Sequence, residues 1–416
     1  MRLAPLLGIW FNSFLIHGFL PDTMISVLLV PVIKDKSGKV GYSDNYRPIA
    51  LASVLSKVFE SILLSRIVDI IPSTDNQFCF KSKHGTDMAI YSLKEIVNTY
   101  RDKNSSVLMS FIDASKAFDR VNHYKLFDKM SKRGVSKCIV RILSYWYANQ
   151  SIAAKWGHCV SAPFGVRNGV RQGGILSPIL FNMYVDELSV CLNSCNTGCM
   201  IGNTLVNHIM YALLNVCSDY GTVYDMKFNT DKSAVMICRT KEDKCLMFPP
   251  FKLAGNTLRV LSRYKYLGHL ITDQLKDDLD VYRQCRSLYA QANSLARKFG
   301  GCTDRVKVAL FRAYCTPLHN AHLWSSFSKA SLHKLQVAYN DALRILLRRP
   351  RWCSASEMFV AAGVNTLQAT LRNVMYKCIC RLNNSENYII MALTSIKFST
   401  TRYKSKLWKH WYSCLL

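Results

Sequence analysis

The chain has 416 residues, half of them hydrophobic, and carries 54 Lys or Arg against 27 Asp or Glu, a net charge of +27. That length gives two or three domains with cores of their own, the apolar content excludes a disordered chain, and the charge favours a polyanionic partner such as nucleic acid. The excess is uneven: residues 276–416 hold 22 basic side chains against 7 acidic ones, with Trp324, Trp352, Tyr403, Trp408 and Trp411 among them as either core or stacking surfaces.

In chain order, Leu3 to Leu20 is mostly apolar, but Asn12, Ser13 and His17 interrupt it and Pro21-Asp22 ends it. It reads as a buried helix rather than a secretory leader. No later window has the uncharged apolar length needed to span a bilayer. Ile25 to Ile33 reads as a strand, and the polar run Lys34 to Tyr46 as a turn bending at Gly38 and Gly41. Lys34, Lys36, Lys39 and Arg47 make this a basic arm, a surface for a triphosphate or a plain solvated loop. Helical patterns follow over Ser53–Ile71 and Asp87–Tyr100.

Val107 to Ile112 (VLMSFI) has the length of a buried strand, and Asp113 stands at its exit, followed by helical spacing from Ala114 to Lys129. A lone acid at a strand exit is where open α/β sheets place ligand and metal groups; it is also where a helix cap would sit. Ser131–Tyr147 reads as helix and Ile152–Val160 as strand. In Gly165 to Leu188, Gly169, Gly173 and Gly174 permit close backbone approach, Arg167, Arg171 and Gln172 supply donors, and Ser177-Pro178 opens a helix. Three further helical patterns cover Leu288–Phe299, Val306–Tyr314 and Leu332–Leu347. Sixteen cysteines include no Cys-x-x-Cys pair and no zinc-knuckle spacing, which points to reduced thiols in an intracellular protein. Arg348-Arg349-Pro350-Arg351 is a basic cluster compatible with nuclear entry, and equally with an RNA contact or a solvated helix end.

Five segments in order, NYRPIALASVLSKVFESIL (45–63), FIDASKAFDRVNH (111–123), GVRQGGILSPILFNMYVDEL (169–188), MKFNTDKSAVM (226–236) and YKYLGHLI (264–271), resemble the reverse transcriptases of non-LTR (LINE-type) retrotransposons. The resemblance implies an α+β right-hand polymerase. Residues 1–275 would form the reverse transcriptase domain, with fingers over about 1–105 and a palm with a ferredoxin-like antiparallel sheet over about 106–275. Residues 276–416 would form a helical thumb and basic C-terminal region. It implies an RNA-directed DNA polymerase that takes an RNA template, a DNA primer and deoxynucleoside triphosphates, with no membrane partner. Phosphoryl transfer to a primer 3′ hydroxyl asks for two Mg²⁺ ions clamping the attacking and leaving oxygens. By resemblance Asp113 is a metal ligand and Lys232 the proton donor to the leaving pyrophosphate. Arg47 would hold the triphosphate, Phe118 would block a ribose 2′ hydroxyl, and Arg171, Gln172 and Gly173 would flank the incoming nucleotide. Asp119 matches the pattern as a structural acid, pairing with Arg120 or a backbone donor.

The chain departs from the family between the glycine motif and Lys232. Where the family has Tyr-Ala-Asp-Asp on a palm hairpin, this chain reads His208-Ile209-Met210-Tyr211-Ala212-Leu213-Leu214-Asn215. Both aspartates are missing, and Leu213 to Asp225 reads as the later part of the helix that follows the hairpin. A truncated hairpin predicts one metal-binding carboxylate instead of a full set, and unpaired backbone in the palm sheet. Asp219 and Asp225 would lie on the helix and point away. The chain also starts within the fingers, so the endonuclease of such elements is expected from elsewhere. The expectation is a polymerase by descent, catalytically impaired; the alternative is a non-catalytic nucleic-acid-binding remnant.

Overall fold

The computed structural model describes residues 3–34, 38–195, 198–201, 204–207, 210–240, 247–399 and 405–415. Helix α1 (Leu3–His17) packs only Phe11 and Leu15 into the first core, while Leu3, Ile9, Trp10 and Ile16 are exposed, so the segment is helical as read but is not a buried helix. Strand β1 (Ser26–Ile33) pairs antiparallel with β2 (Tyr46–Ala52), Val27 opposite Ala52 and Ile33 opposite Tyr46. The basic arm is the turn between them. Ser53 caps α2 (Val54–Ile67), its hydroxyl accepting from the Ser56 N–H, and Phe59, Leu63 and Ile67 face inward at helical spacing.

Helix α3 (Thr86–Asp102) leads into β3 (Val107–Phe111). Val107, Met109 and Phe111 point to one face and join Val97 and Met236, while Leu108 packs on the opposite side with Val235 and Phe251. The sequence predicts a helix directly after Asp113, and the structure corrects this. Lys116 has a left-handed backbone (φ 48°), Ala117–Arg120 is a 3₁₀ turn, and α4 (His123–Lys132) begins only where the Asn122 side chain caps the Lys125 N–H. The cause is pairing. Ala114 bridges Phe228, and the Ser115 N–H donates to the Lys227 carbonyl at 2.8 Å, so the residues after Asp113 are held extended.

Next come α5 (Lys137–Ala148), which starts six residues later than expected, and β4 (Ser151–Trp156), which runs parallel to β1. Helix α6 (Ser177–Ser194) follows with Pro178 in its first turn. A short antiparallel pair, β5 (Gly198–Ile201) and β6 (Thr204–Asn207), precedes α7 (Met210–Val223). His208 and Ile209 lie outside the described residues, as do the side chains of Tyr211 and Ala212. The backbone at Tyr211-Ala212 is helical, and Leu214 and Cys217 press the helix onto the sheet. Asp225 lies past the helix end, not on it, and is taken by Lys125 at 3.2 Å.

A central sheet is three-stranded: β3 pairs antiparallel with β7 (Ala234–Cys238), which pairs parallel with β8 (Arg259–Val260). Among the described residues β3 has no strand on its second edge. That edge borders a cavity of about 300 Å³ lined by Leu93, Ile96, Leu192 and all five residues of β3. Successive strand residues face opposite sides, so a cavity touching five in a row runs along the strand edge, where the backbone groups are.

After the hairpin of β9 (Arg263–Tyr266) and β10 (His269–Thr272), the rest of the described chain is helical. Helices α8 (Asp278–Phe299), α9 (Asp304–Tyr314), α10 (Lys329–Leu347), α11 (Ala355–Ala361), α12 (Leu367–Asn383), α13 (Tyr388–Ser399) and α14 (Lys406–Leu415) share one core with Met88, Ile90 and Tyr91 of α3. Trp324, Trp408 and Trp411 belong to this core, the first of the two alternatives read for them; Trp352 is 88% exposed. Tyr403 lies outside the described residues. Buried ion pairs tie the bundle to α3 and to the β9–β10 hairpin: Lys94 of α3 meets Asp277 at 2.7 Å, and His269 lies 3.2 Å from Asp280. The fifteen described cysteines are free thiols, and no described helix is long and apolar enough to cross a membrane.

Candidate active site

Asp113 stands two residues beyond β3, half-buried, with its backbone fastened on both sides: its N–H donates to Ser233 Oγ at 3.0 Å and its carbonyl accepts from the Asn229 N–H at 2.7 Å. Lys232 lies in that same Asn229–Ser233 loop. Its N–H donates to Asn229 Oδ1 and its carbonyl accepts from the Tyr264 hydroxyl at 2.9 Å. Tyr264 in turn stacks on Phe111 at 4.3 Å. Burial, and secondarily the Asp113 carboxylate, raise the Tyr264 hydroxyl above its usual range. Thus Asp113 and Lys232 are brought together.

The glycine turn is the opposite wall. Gly169 and Gly173 have φ of +96° and +115°, and a Cβ on Gly173 would come 2.9 Å from the Ala50 carbonyl. Glycine is required there, because Ala50 of β2 donates its N–H to the Gln172 carbonyl at 2.7 Å. The Gln172 side chain is half-buried, and its amide donates to Asp119 Oδ1 at 3.3 Å. Asp119 therefore pairs across the site with Gln172 rather than with Arg120. Arg171 is turned inward: it is 6% exposed, meets Glu60 Oε1 at 2.6 Å and lies 4.6 Å over the Trp146 ring. The second Glu60 oxygen accepts from the Ile175 and Leu176 N–H groups. Arg171 thus braces the turn from below, while Gln172 and Gly173 form its surface. The pairing partner, 111 residues away on α2, carries no sequence signal.

Phe118 is half-buried between Phe181 of α6 (4.8 Å) and Phe80 (6.2 Å). Its carbonyl accepts from the Val170 N–H, so the Asp113 loop and the glycine turn share a backbone hydrogen bond. On the fingers side Arg47 projects exposed from β2. Lys116 meets Asp44 at 2.9 Å, and Lys34 donates to the Asp44 carbonyl at 2.8 Å. Lys116, with Lys34 and Lys232 further off, holds the Asp44 carboxyl below its ordinary value. Three lysines from three segments therefore converge near one exposed carboxylate beside the Asp113 loop. Sequence reasoning missed Lys116 and Asp44, which no spacing rule singles out. Lys36 lies outside the described residues.

A family model described as reverse transcriptase (RNA-dependent DNA polymerase) matches residues 33–271, more than half of the chain. The chain belongs to the reverse transcriptase family. Its relatives include the probable RNA-directed DNA polymerase from transposon BS of Drosophila melanogaster, 26% identical over 400 residues, 88% of this chain and 43% of that protein. The RNA-directed DNA polymerase from mobile element jockey of the same species is 22% identical over 99% of this chain and 48% of its own length. The Pol polyprotein of the type-2 retrotransposable element R2DM, also from Drosophila melanogaster, is 28% identical over 62% of this chain. These are proteins of non-LTR retrotransposons, and the chain spans a little under half the length of the first two. Among solved structures, apo telomerase from Candida tropicalis is similar over 94% of this chain and 74% of its own, at 12% identity and a TM-score of 0.43.

Among the described residues no group of three metal-ligand side chains forms around Asp113, so the donor set there does not fit a two-ion centre. Such a centre needs carboxylate oxygens converging on both ions. Of the described acids in neighbouring loops, Asp119 is engaged by Gln172, Asp225 by Lys125 and Asn122, and Asp44 by Lys116, while Asp231 is exposed in the Lys232 loop. Asp219 is exposed on α7. The only cluster of three metal-ligand side chains among the described residues is Asp87, His322 and Cys378, in the bundle. There Asp87 is already paired with His322 at 3.1 Å and with Arg381.

Proposed function

We propose that this chain is the polymerase portion of a non-LTR retrotransposon protein, descended from an enzyme that extends a DNA primer on an RNA template, with nucleotide addition impaired in this copy. Residues to about 105 act as fingers, about 106–275 as palm and 276–416 as thumb. Asp113 and Lys232 are the surviving catalytic groups. Gln172, Gly173 and Phe118 shape the nucleotide pocket, and Arg47, with the lysines around Asp44, gathers charge for a triphosphate. Arg171 contributes by holding the turn through Glu60. Asp113 is the residue that would hold Mg²⁺, which would supply charge stabilisation to a transferring phosphoryl group; no step is assigned through it in this chain. The exposed Arg348-Arg349-Pro350-Arg351 run supports a nuclear site of action.

The observation that carries the reading is the meeting of the Asp113 loop with the glycine turn and Lys232, in a chain where Leu213-Leu214 and not two aspartates follow Tyr211-Ala212. The test is primer extension. Purified protein is given an RNA template annealed to a DNA primer, deoxynucleoside triphosphates and Mg²⁺, beside Asp113→Ala. Loss of one preorganised charge-stabilising group costs about 10² to 10³ in rate, so extension is expected no higher than in the variant. Robust extension that disappears in Asp113→Ala overturns the impairment. Failure to bind the primer–template at all overturns the polymerase descent.

A further inference from the structure

The turn joining α10 to α11 is exposed, aromatic and basic. Its shape is fixed: the Cys353 N–H donates to the Pro350 carbonyl at 3.1 Å, and Arg344 clamps the Cys353 carbonyl at 3.0 Å. Arg351 and Trp352 are therefore the two central residues of a hydrogen-bonded turn and are thrust outward. Trp352 is 88% exposed, whereas the other tryptophans of the bundle are at most 3% exposed. Arg348, Arg349 and Arg351 flank it, all exposed.

From this turn a groove runs across the bundle. Its first part, about 560 Å³, is lined by Arg305, Arg312, Arg349 and Cys353, with Asp304 and Glu357 as its acids. Its second part, about 340 Å³, shares Arg312 and adds Lys377, Asn365 and Asn373. Asp304 offsets Arg349 at 3.6 Å, and Arg312 is anchored to the Gly363 carbonyl at 2.6 Å. Four basic side chains, Arg305, Arg312, Arg349 and Lys377, thus line the track against two acids.

We propose that this track is a single-stranded RNA site, separate from the polymerase cleft and not dependent on the reading of that cleft. An unpaired base stacks on Trp352, the following phosphates run along Arg349, Arg305 and Arg312, and the amides of Asn365 and Asn373 meet ribose 2′ hydroxyls. The chemistry selects this ligand. A rigid exposed indole among arginines matches a base plane with its phosphates, a duplex hides its base faces, and side-chain amides are the groups that register a 2′ hydroxyl.

The test uses the full chain and a fluorescein-labelled 12-nucleotide uridine RNA, followed by anisotropy. Trp352→Ala should weaken binding about 5- to 100-fold, and Trp352→Tyr should restore most of it. Arg351→Gln should lower the slope of log affinity against log salt by about one. Photo-crosslinking of 4-thiouridine RNA should map to the peptide holding Trp352, and should persist in Asp113→Asn. DNA of the same length should bind more weakly for want of 2′ hydroxyls and lose affinity in Trp352→Ala as RNA does, whereas duplex RNA should be insensitive to Trp352→Ala. The proposal is overturned if Trp352→Ala binds the RNA within about twofold of the parent while its circular dichroism is unchanged. It is equally overturned if DNA of the same length binds as tightly as the RNA, or if crosslinks fall only near Asp113.

Discussion

Replacing Glu60 by Ala removes three things at once. The buried Arg171 loses its counter-ion at 2.6 Å, and the Ile175 and Leu176 N–H groups lose an acceptor. Both charged side chains are almost fully buried, Glu60 at 2% and Arg171 at 6%, so water cannot take Glu60's place. Leaving a buried charge unpaired costs about 3–5 kcal/mol, and an orphaned buried N–H adds about 1–3 kcal/mol. Because these losses are not additive, about 4–6 kcal/mol is expected, a large share of the 5–15 kcal/mol that typically holds a domain. Urea unfolding at pH 7 measures it. The double variant Glu60→Ala with Arg171→Met should recover about half of the loss, since Met next to Trp146 needs no counter-charge. A single-variant cost below about 1 kcal/mol, or a double variant no better than the single, refutes the bracing role of the pair.

Gly173→Ala should destabilise by about 1–3 kcal/mol and open the turn, through a φ of +115° and a Cβ only 2.9 Å from the Ala50 carbonyl; the unfolding midpoint reads this. Acid should loosen the bundle from α3. Burial raises the Asp87, Asp277 and Asp280 carboxyls, but His322, Lys94 and His269 outweigh it and hold them low, Asp87 at about 2. Folded values below the unfolded ones mean stability that is full above about pH 4 and lost as pH falls toward 2, roughly 2 kcal/mol from Asp87 alone; a flat midpoint between pH 5 and 3 would count against this. Glu95 works in the opposite sense. Burial pushes its carboxyl up to about 7, so its ionisation drains stability as pH rises from about 4 through 7, and Glu95→Gln should gain about 2 kcal/mol at pH 8 in thermal unfolding.

How much of this was legible follows from which forces are local. Asp113 at a strand exit and the strained glycines are local signals, and the structure places them at a shared site with Lys232. The helix expected from Ala114 fails because its spacing is helical but its backbone is claimed by Lys227–Asn229, more than a hundred residues on. Arg171 reads as a substrate group since it stands in the turn, yet its partner Glu60 is visible only in three dimensions. The tryptophans divide the same way. Composition cannot separate Trp324, which donates to buried Asp280 at 2.9 Å, from Trp352, which touches solvent.

We propose that the two aspartates absent after Ala212 and the edge of β3 that no described strand pairs have a common origin, and that can be put to the test. If the deficit were two lost charges, Leu213→Asp with Leu214→Asp would repair it, because these residues directly follow Tyr211-Ala212. In this fold they are part of α7, with Leu214 1% exposed against Val235 and Phe251. An Asp there is a buried carboxylate without a partner, costing several kcal/mol or forcing itself protonated, and it lies on a helix rather than at a hairpin tip. The substitution should therefore lower stability and leave primer extension at the Asp113→Ala background. Inserting a segment after Ala212 that carries Asp-Asp and a returning strand should instead pair the second edge of β3, fill the cavity beside it and bring carboxylates to Asp113. Recovery of extension by the two substitutions alone would show that charge, and not the lost strand, is what the site lacks.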